Sequence, residues 1–417
     1  MRNLLIILVL VFGLLNQLAC QIATNSPYSR FGLGEIQNNS LPHFSALGGA
    51  STALIFSRSI NPNNPASYSS FAPNSFLLST GGWHQTTELQ NTSTSQTVNN
   101  NSFSHVVMGF PLNRKFSASF GMIPFTSTGY EIDSYEQAYS AEMRYYGDGG
   151  ISKIYFGGAY ELLDGFSIGI NASYLFGGLN QRKQLIYSDP SFLNSRSNSK
   201  INLKGYYYEF GVLYTKGLNK NDEFSIGVTA HNTSSIRAKK NELVESFQYS
   251  GFLEVPKDTF VNSVEWGEVV LPQYFSTGIS YNIDRKWLFA ADYSIQDWSQ
   301  YSMFNQSDNL ANSMKLCGGV QYTPEYNSIT KYYKRIDYRI GGTYNNTPLQ
   351  FGDNQLKEIS LCFGFGIPVR KSRTKYDFSF TFGQRGTTED NLIQENFFRL
   401  GLSVSYDGIW FVKRKYD

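Results

Sequence analysis

The sequence predicts an all-β fold, a transmembrane antiparallel β-barrel of about fourteen strands with an N-terminal plug, or hatch, in its lumen. Three observations carry that expectation. The first is a two-residue alternation of apolar and small or polar side chains, as in Phe166-Ser167-Ile168-Gly169-Ile170-Asn171-Ala172-Ser173-Tyr174 and again in Phe224–His231, Phe378–Gly383 and Phe398–Tyr406. Successive strand side chains point to opposite faces, so each block has one greasy and one wet face. The greasy face is aromatic-rich and the other carries Gly, Ser, Asn and charge, which suits lipid outside and water inside. The second is composition: 29 Tyr and 32 Phe bring aromatics to 16%, while charged residues reach only 16%, against about a quarter in ordinary domains. Mean hydropathy is nonetheless −0.31, because every second strand position is polar. The third is the spacing of connections. Tight turns at 112–115, 163–165 and 282–285 contrast with long polar stretches at 89–101, 188–199, 252–267 and 299–311, the pattern of short periplasmic turns and long extracellular loops.

The elements follow in order. Arg2 and the apolar run Leu4–Leu15 form an export signal over residues 1–20, with cleavage near Ala19-Cys20-Gln21. Cys20 also raises lipidation, although Asn16-Gln17-Leu18-Ala19 lacks the Leu usual three residues before a lipidated Cys. No stretch approaches eighteen apolar residues, which excludes a helical membrane protein. Residues 21–74 break the alternation with Gly and Pro and predict short helical and irregular pieces. Irregular backbone at membrane depth must be buried in protein or water, so this segment belongs in the lumen.

The barrel occupies residues 75–408. Its strand candidates are Ser75–Glu88, Ser102–Leu112, Phe116–Thr126, Tyr130–Tyr139, Ile151–Leu162, Phe166–Phe176, Leu179–Tyr187, Lys200–Lys216 and Glu223–Asn232. Asn241–Gly251, Pro272–Ile283, Trp287–Trp298, Ser313–Thr323, Ile336–Tyr344, Lys357–Ile367, Lys375–Gln384 and Phe397–Tyr406 complete them. Leu179–Tyr187 and Asn241–Gly251 read as hairpins outside the membrane, which brings the count towards fourteen. Trp83, Tyr206, Tyr208, Trp287, Trp298, Tyr376, Tyr406 and Trp410 fit interfacial girdles. Residues 409–417 form a basic tail. Cys317 and Cys362 share the polar face; with a strand between theirs they stand about 9–10 Å apart, too far to bridge, and read as small lumen-wall residues.

Two motifs carry a family resemblance. Leu47-Gly48-Gly49-Ala50 followed by Asn64-Pro65-Ala66, and Phe120-Gly121-Met122-Ile123-Pro124-Phe125-Thr126 about sixty residues after the first, resemble the plug and third strand of the long-chain fatty-acid transporter (FadL-type) and hydrocarbon-uptake barrels, in a divergent branch. The resemblance implies a fourteen-stranded barrel, a hatch motif at Gly48, Gly49, Asn64, Pro65 and Ala66, and a lateral opening at Gly121, Pro124 and Phe125. Pro124 fits such an opening physically, because proline removes a ladder donor. Beyond Tyr130 the resemblance is architectural.

The alternation turns Lys153, Glu161, Glu209, Asp292, Lys315, Arg339, Glu358, Asp377 and Arg399 into the lumen, since a midplane Arg or Lys facing lipid costs about 2–4 kcal/mol. The plain role is a compensating network between wall and plug; the sharper one is an anchor for a carboxylate head group. Asn64-Pro65-Ala66 is equally readable as a hatch anchor or as a turn before the first strand. Catalysis finds little support: His43, His84, His105 and His231 have no metal-ligand spacing, and no nucleophile elbow or phosphate loop occurs. Cofactors and metals are expected to be absent. A net charge of +2, with only the local pair Lys239-Lys240, gives no nucleic-acid surface.

Two functions follow for a Gram-negative outer-membrane barrel in contact with lipid. The first is passive, FadL-like transport of hydrophobic, fatty acid-like molecules. The alternative is a non-transporting accessory subunit of an outer-membrane secretion or barrel-assembly complex, with Ser26–Gly34 and Lys413-Arg414-Lys415 as periplasmic contacts.

Overall fold

The computed structural model describes residues 24–37, 41–137 and 140–409. The expected export signal, Cys20 and the tail from Trp410 onward lie outside the described residues. The wall is a closed antiparallel barrel of 14 strands. In chain order the extended segments are β1 (Glu35–Ile36), β2 (Ser75–Gln90), β3 (Ser95–Pro111), β4 (Phe116–Glu136), β5 (Ala141–Leu163) and β6 (Phe166–Tyr187). They continue with β7 (Asn194–Gly217), β8 (Glu223–His231), β9 (Ser234–Ser250), β10 (Leu253–Leu271), β11 (Tyr274–Ile283) and β12 (Trp287–Gln296). The last are β13 (Ser302–Met303), β14 (Ser313–Tyr322), β15 (Asp337–Phe351), β16 (Asn354–Pro368), β17 (Lys375–Arg385) and β18 (Gln394–Ile409).

Each wall strand pairs with its neighbours, and the β18–β2 ladder, from Gln394–Gln90 to Ile409–Ser75, closes the ring. β8 and β9 are one wall strand interrupted at residues 232–233, because β7 pairs first with β8 and then with β9. β10 and β11 are likewise one strand, broken at Pro272, which has no N–H to offer the ladder. β1 belongs to the N-terminal segment and β13 is a two-residue appendage to β10.

Side-chain direction follows the alternation. On β5, Ile151, Lys153, Tyr155 and Ala159 are buried inside, while Ile154, Phe156 and Tyr160 stand exposed outside. Three predicted pairs of strands merge: Phe116–Thr126 with Tyr130–Tyr139 as β4, which ends at Glu136 (residues 138–139 lie outside the described ones), Phe166–Phe176 with Leu179–Tyr187 as β6, and Glu223–Asn232 with Asn241–Gly251 as β8/β9. Those mergers turn the seventeen sequence candidates into the 14 wall strands. The stretches 89–101 and 252–267 are mostly strand rather than loop. Beyond the membrane both faces of a strand meet water, so no alternation marks it. The β2–β3 hairpin closes instead on Asn91, whose Oδ1 accepts from the Ser93 and Thr94 N–H groups at 2.9 and 2.7 Å.

Two apolar clusters pack the N-terminal segment against the inner wall. One apolar cluster joins Leu41, Phe44, Leu47, Leu54, Ile60, Tyr68 and Phe71 to wall residues Leu77, Val107, Ile123, Tyr155 and Leu288. A second joins Leu33 to Leu175, Leu179, Ile201, Leu203, Tyr207, Ile236, Val269, Trp298 and Tyr301. Trp298 therefore turns inward from a short 3-10 turn instead of joining a girdle. Trp83 also faces the lumen, its ring under the Arg399 guanidinium at 4.8 Å. Tyr206, Tyr208, Trp287, Tyr376 and Tyr406 are exposed. Cys317 and Cys362 are buried free thiols on β14 and β16, with β15 between them. No described helix is long and apolar enough to cross a membrane.

Candidate functional site

The N-terminal segment runs through the lumen in three short pieces. A 3-10 turn (Pro27–Arg30) and β1 lie at the extracellular end, a single α-turn (Pro42–Ser45) comes next, and a 3-10 helix (Pro65–Ser70) ends the path before β2. Proline opens all three turns, where its missing N–H is no loss. Asn64 caps the last one: its Oδ1 accepts from Ala66 N–H at 3.0 Å, while its Nδ2 donates to Thr52 O at 2.6 Å and to Val212 O of β7 at 3.4 Å. Asn64-Pro65-Ala66 is thus a helix cap and a wall contact together.

The segment meets the wall through backbone. A Cβ on Gly169 would lie 2.5 Å from Ala66 N, one on Gly211 2.9 Å from Pro65 Cδ, and one on Gly227 2.7 Å from the Thr52 carbonyl carbon. Gly278 approaches Thr52, and Gly319 and Gly341 take Leu47 between them: a Cβ on either would lie 2.7 or 2.8 Å from its Cα. These glycines sit on β6, β7, β8, β11, β14 and β15, so they form a belt along the inner wall. Side-chain-free contact lets two backbones approach closely, and a close-packed contact resists added volume. Gly48 and Gly49 add the conformational part, with φ of 71° and 88°.

Hydrogen bonds fix the same seam. Asp292 Oδ2 accepts from the Ser51 and Thr52 N–H groups at 2.6 and 2.8 Å. Thr343 Oγ1 donates to Gly48 O at 2.6 Å, Ser280 Oγ to Ala53 O at 2.9 Å, and Asn171 Nδ2 to Pro62 O at 3.0 Å. Charge-assisted bonds of the Asp292 kind are worth about 1.5–3 kcal/mol each.

At the extracellular end Glu35 of β1 accepts from Arg385 Nη1 at 3.1 Å and from Thr24 Oγ1 at 2.8 Å, while Arg385 also grips Glu395 at 2.6 Å. Burial opposes charge on Glu35, but Arg385 and then Arg399 outweigh it and hold the carboxyl below its ordinary value. Ser26 donates to Glu395 and Tyr28 to Ile393 O at 2.6 Å. Ser26–Gly34 is therefore wedged at the extracellular end of the lumen, which removes it as a periplasmic contact. Towards the periplasm Arg339 binds Asp377 at 2.6 Å and Asp337 at 3.1 Å, with Lys375 on Asp337 as well. His43, buried beside Phe44, is desolvated down to about 3 and stays neutral.

A cavity of about 300 Å³ lies between these layers, lined by Phe31, Leu33, Phe125 and Tyr207 but also by Glu35, Glu209, Asp292, Lys315, Glu358, Arg385 and Arg399. Beside it the wall parts. The β3–β4 ladder runs only from Pro111–Ser117 to Val106–Met122. Beyond that point β4 bulges at Pro124–Thr126, and Thr126 and Ser127 pair with Ile36 and Glu35 of β1 instead. A smaller pocket of about 30 Å³ occupies the parting, lined by Phe103, Ser104, Pro124, Gln37 and Arg399, the last two shared with the main cavity.

The predicted residues thus divide. Gly48, Gly49, Asn64, Pro65 and Ala66 lie on the wall seam, and Gly121, Pro124 and Phe125 border the parting. Phe125 turns inward against Tyr207 at 5.7 Å. Lys153 and Glu209 pair at 2.8 Å, and Asp292, Arg339, Glu358, Asp377 and Arg399 enter the networks above. Glu161 stands apart, accepting from Gly165 N–H at 3.3 Å in the β5–β6 turn. Arg385 and Glu395 were outside the sequence expectation, because the predicted strands stopped just short of both. Among the described residues no group of metal-ligating side chains occurs.

The barrel matches known folds. The Ralstonia pickettii toluene transporter TbuX superposes with a TM-score of 0.61 at 14% identity, over 88% of this chain and 98% of TbuX. The Pseudomonas putida toluene transporter TodX gives 0.58 at 13% identity, over 89% and 98%. A Pseudomonas aeruginosa FadL homologue gives 0.57 at 11% identity, again over 89% and 98%. At these identities the likeness is one of fold. No curated protein matches the chain in sequence. The BamG family profile matches residues 1–417. The chain is an outer-membrane β-barrel of FadL-like fold, and it belongs to the BamG family.

Proposed function

We propose that the protein is an accessory barrel of an outer-membrane barrel-assembly machine, with residues 21–74 acting as a plug that stays shut. The observation that carries this is the backbone seam, where the plug and a belt of wall glycines leave no room for a side chain. A hatch that swung open would surrender that packing, the Asp292 bonds and the Glu35–Arg385 pair together. The polar lining of the cavity agrees with a structural interior, and the Bam prefix of the family name supports the partner class. The export signal (1–20), the barrel (75–408) and the tail (409–417) complete the proposed organisation, with the tail as a periplasmic contact. Affinity purification of the tagged protein from native outer membrane tests the proposal. A larger barrel recovered in stoichiometric amount supports it, and a solitary barrel opposes it.

The parting between β3 and β4 favours a second reading, in which a hydrophobic, fatty acid-like molecule crosses passively. It would enter the 300 Å³ cavity from outside, push past Gln37, and leave sideways near Pro124. TbuX and TodX are toluene transporters, and by analogy of fold passive uptake of a hydrophobic molecule is open to test here. Absence of fatty-acid binding by the purified protein, with unchanged growth of a deletion strain on such substrates, would end this reading.

A further inference from the structure

We propose that the outside of the barrel carries a binding surface for the phosphorylated glycolipid of the outer leaflet, lipid A, on β7 and β9. The surface is built from the strand register. On β7 the residues facing out are Lys200, Asn202, Lys204, Tyr206, Tyr208 and Phe210; Ile201, Leu203 and Tyr207 between them are buried inside. On β9 Arg237 and Lys239 alternate in the same way with the buried Ile236 and Ala238. Lys204 lies directly across from Arg237, Asn202 from Lys239, and Lys200 from Asn241. Four cations and two amides therefore share one face of two adjacent strands.

Three features say what covers that face. Like charges placed directly opposite in a ladder are unfavourable, and the ion pairs found among the described residues include none of these four. Glu268 of β10 is the ladder partner of Arg237 on its other side, without forming an ion pair, and Lys239 is met by Trp266, whose ring lies 5.2 Å from its Nζ. An external anion would relieve the repulsion.

The second feature is height. Immediately towards the periplasm come Tyr206 and Tyr174, edge-on at 5.6 Å, then Tyr208 and Phe210. Aromatic belts mark the head-group level, so Lys204 and Arg237 stand where the outer leaflet places its phosphates. Trp266, 67% exposed, flanks them.

The third is asymmetry. On the far side of the barrel the outward residues of the extracellular half include Asn346, Lys357, Gln384, Asn396 and Glu88, and among these one cation is balanced by one anion. Arg237 can offer a phosphate two parallel N–H bonds, and the lysines act as point charges around it.

Lipid bound to the full-length barrel, extracted in mild detergent and reconstituted in nanodiscs, tests the proposal by native mass spectrometry. The probes are purified lipid A and, separately, phosphatidylglycerol. Wild-type protein should retain lipid A. Lys200→Gln/Lys204→Gln/Arg237→Gln/Lys239→Gln should bind it on the order of a hundredfold more weakly, since each basic residue at a membrane surface contributes to anionic-lipid binding. Lys357→Gln should bind as wild type. A heat-modifiable band on gels confirms folding, and a Lys200→Arg/Lys204→Arg/Lys239→Arg variant should keep the lipid. Undiminished lipid A on the folded quadruple variant overturns the proposal. So does equal retention of phosphatidylglycerol, which would mean a general anionic surface rather than an outer-leaflet one.

Discussion

Gly341 and Gly342 are neighbours on β15 that face opposite sides of the wall, and together they test the seam that holds the plug. A Cβ on Gly341 would overlap Gly48 N and the Leu47 carbonyl carbon and stand 2.8 Å from Leu47 Cα. To restore ordinary contact the plug must retreat by roughly 1 Å. It has little room to shift, because the next strand is as close to the same Leu47: a Cβ on Gly319 would stand 2.7 Å from its Cα. A Cβ on Gly342 would instead meet Ser360 O at 3.4 Å, which is tight but relieved by a shift of tenths of an ångström. Overpacking against immovable neighbours costs about 1–3 kcal/mol, whereas Gly→Ala at a compatible strand site gains about 0.4–1 kcal/mol through the unfolded chain. Gly341→Ala should therefore unfold at lower urea than Gly342→Ala in liposomes, by about 2 kcal/mol. Limited proteolysis should cut Gly341→Ala faster between residues 41 and 60. Equal midpoints and equal cleavage for the two variants would refute the argument that the seam is backbone against backbone.

Three further outcomes are expected. Asp292→Ala strands the Ser51 and Thr52 N–H groups and should destabilise by about 2–4 kcal/mol in the same urea assay, with a loss under 0.5 kcal/mol counting against the anchor. His43 has a folded value of about 3 against about 6.5 unfolded. The unfolded state then binds the extra proton, and stability should fall by up to about 1.4 kcal/mol per pH unit as pH drops from 6.5 towards 3. Subtracting a His43→Gln curve isolates that slope, and parallel curves would contradict it. Glu35 is held below its ordinary value, so its contribution is complete above about pH 4.5 and disappears on further acidification. A fluorophore on Ile36→Cys should report loosening of β1 in acid, and Arg385→Gln should show the loosened signal already at pH 7.

The wall was legible because lipid on one side and protein or water on the other force a period of two onto every strand. Where that contrast stops, so did the reading. Residues 253–267 belong to β10, yet from Leu253 to Glu268 the strand has only β9 as ladder partner and both faces are wet, so the segment reads as loop. Arg385 and Glu395 were missed for a related reason: they lie one step past the last alternating residue of β17 and before the first of β18. Trp83 and Trp298 show that an aromatic near a strand end need not be an interfacial one, because parity and loop path decide its direction. The N-terminal segment was visible as a break in the pattern, and Gly48-Gly49 and Asn64-Pro65-Ala66 lie in it. What those residues touch was not visible, since most of the partners are backbone groups and glycines. Asp292 stood out as a charge, but nothing in a sequence marks the amides of Ser51 and Thr52 as its ligands.

A disulfide between plug and wall tests the central claim most directly. Ser69 Oγ lies 2.8 Å from Ser167 Oγ on β6, and Thr52 Oγ1 lies 2.9 Å from Ser276 Oγ on β11, so Ser69→Cys/Ser167→Cys and Thr52→Cys/Ser276→Cys would pin residues 52–69 at two points. The locked protein replaces wild type in cells, and the amounts of other outer-membrane barrels are measured with and without reductant. A plug that stays shut predicts wild-type barrel levels in the oxidised state. A defect that appears on oxidation and disappears on reduction would mean that the plug must move, and would contradict the account.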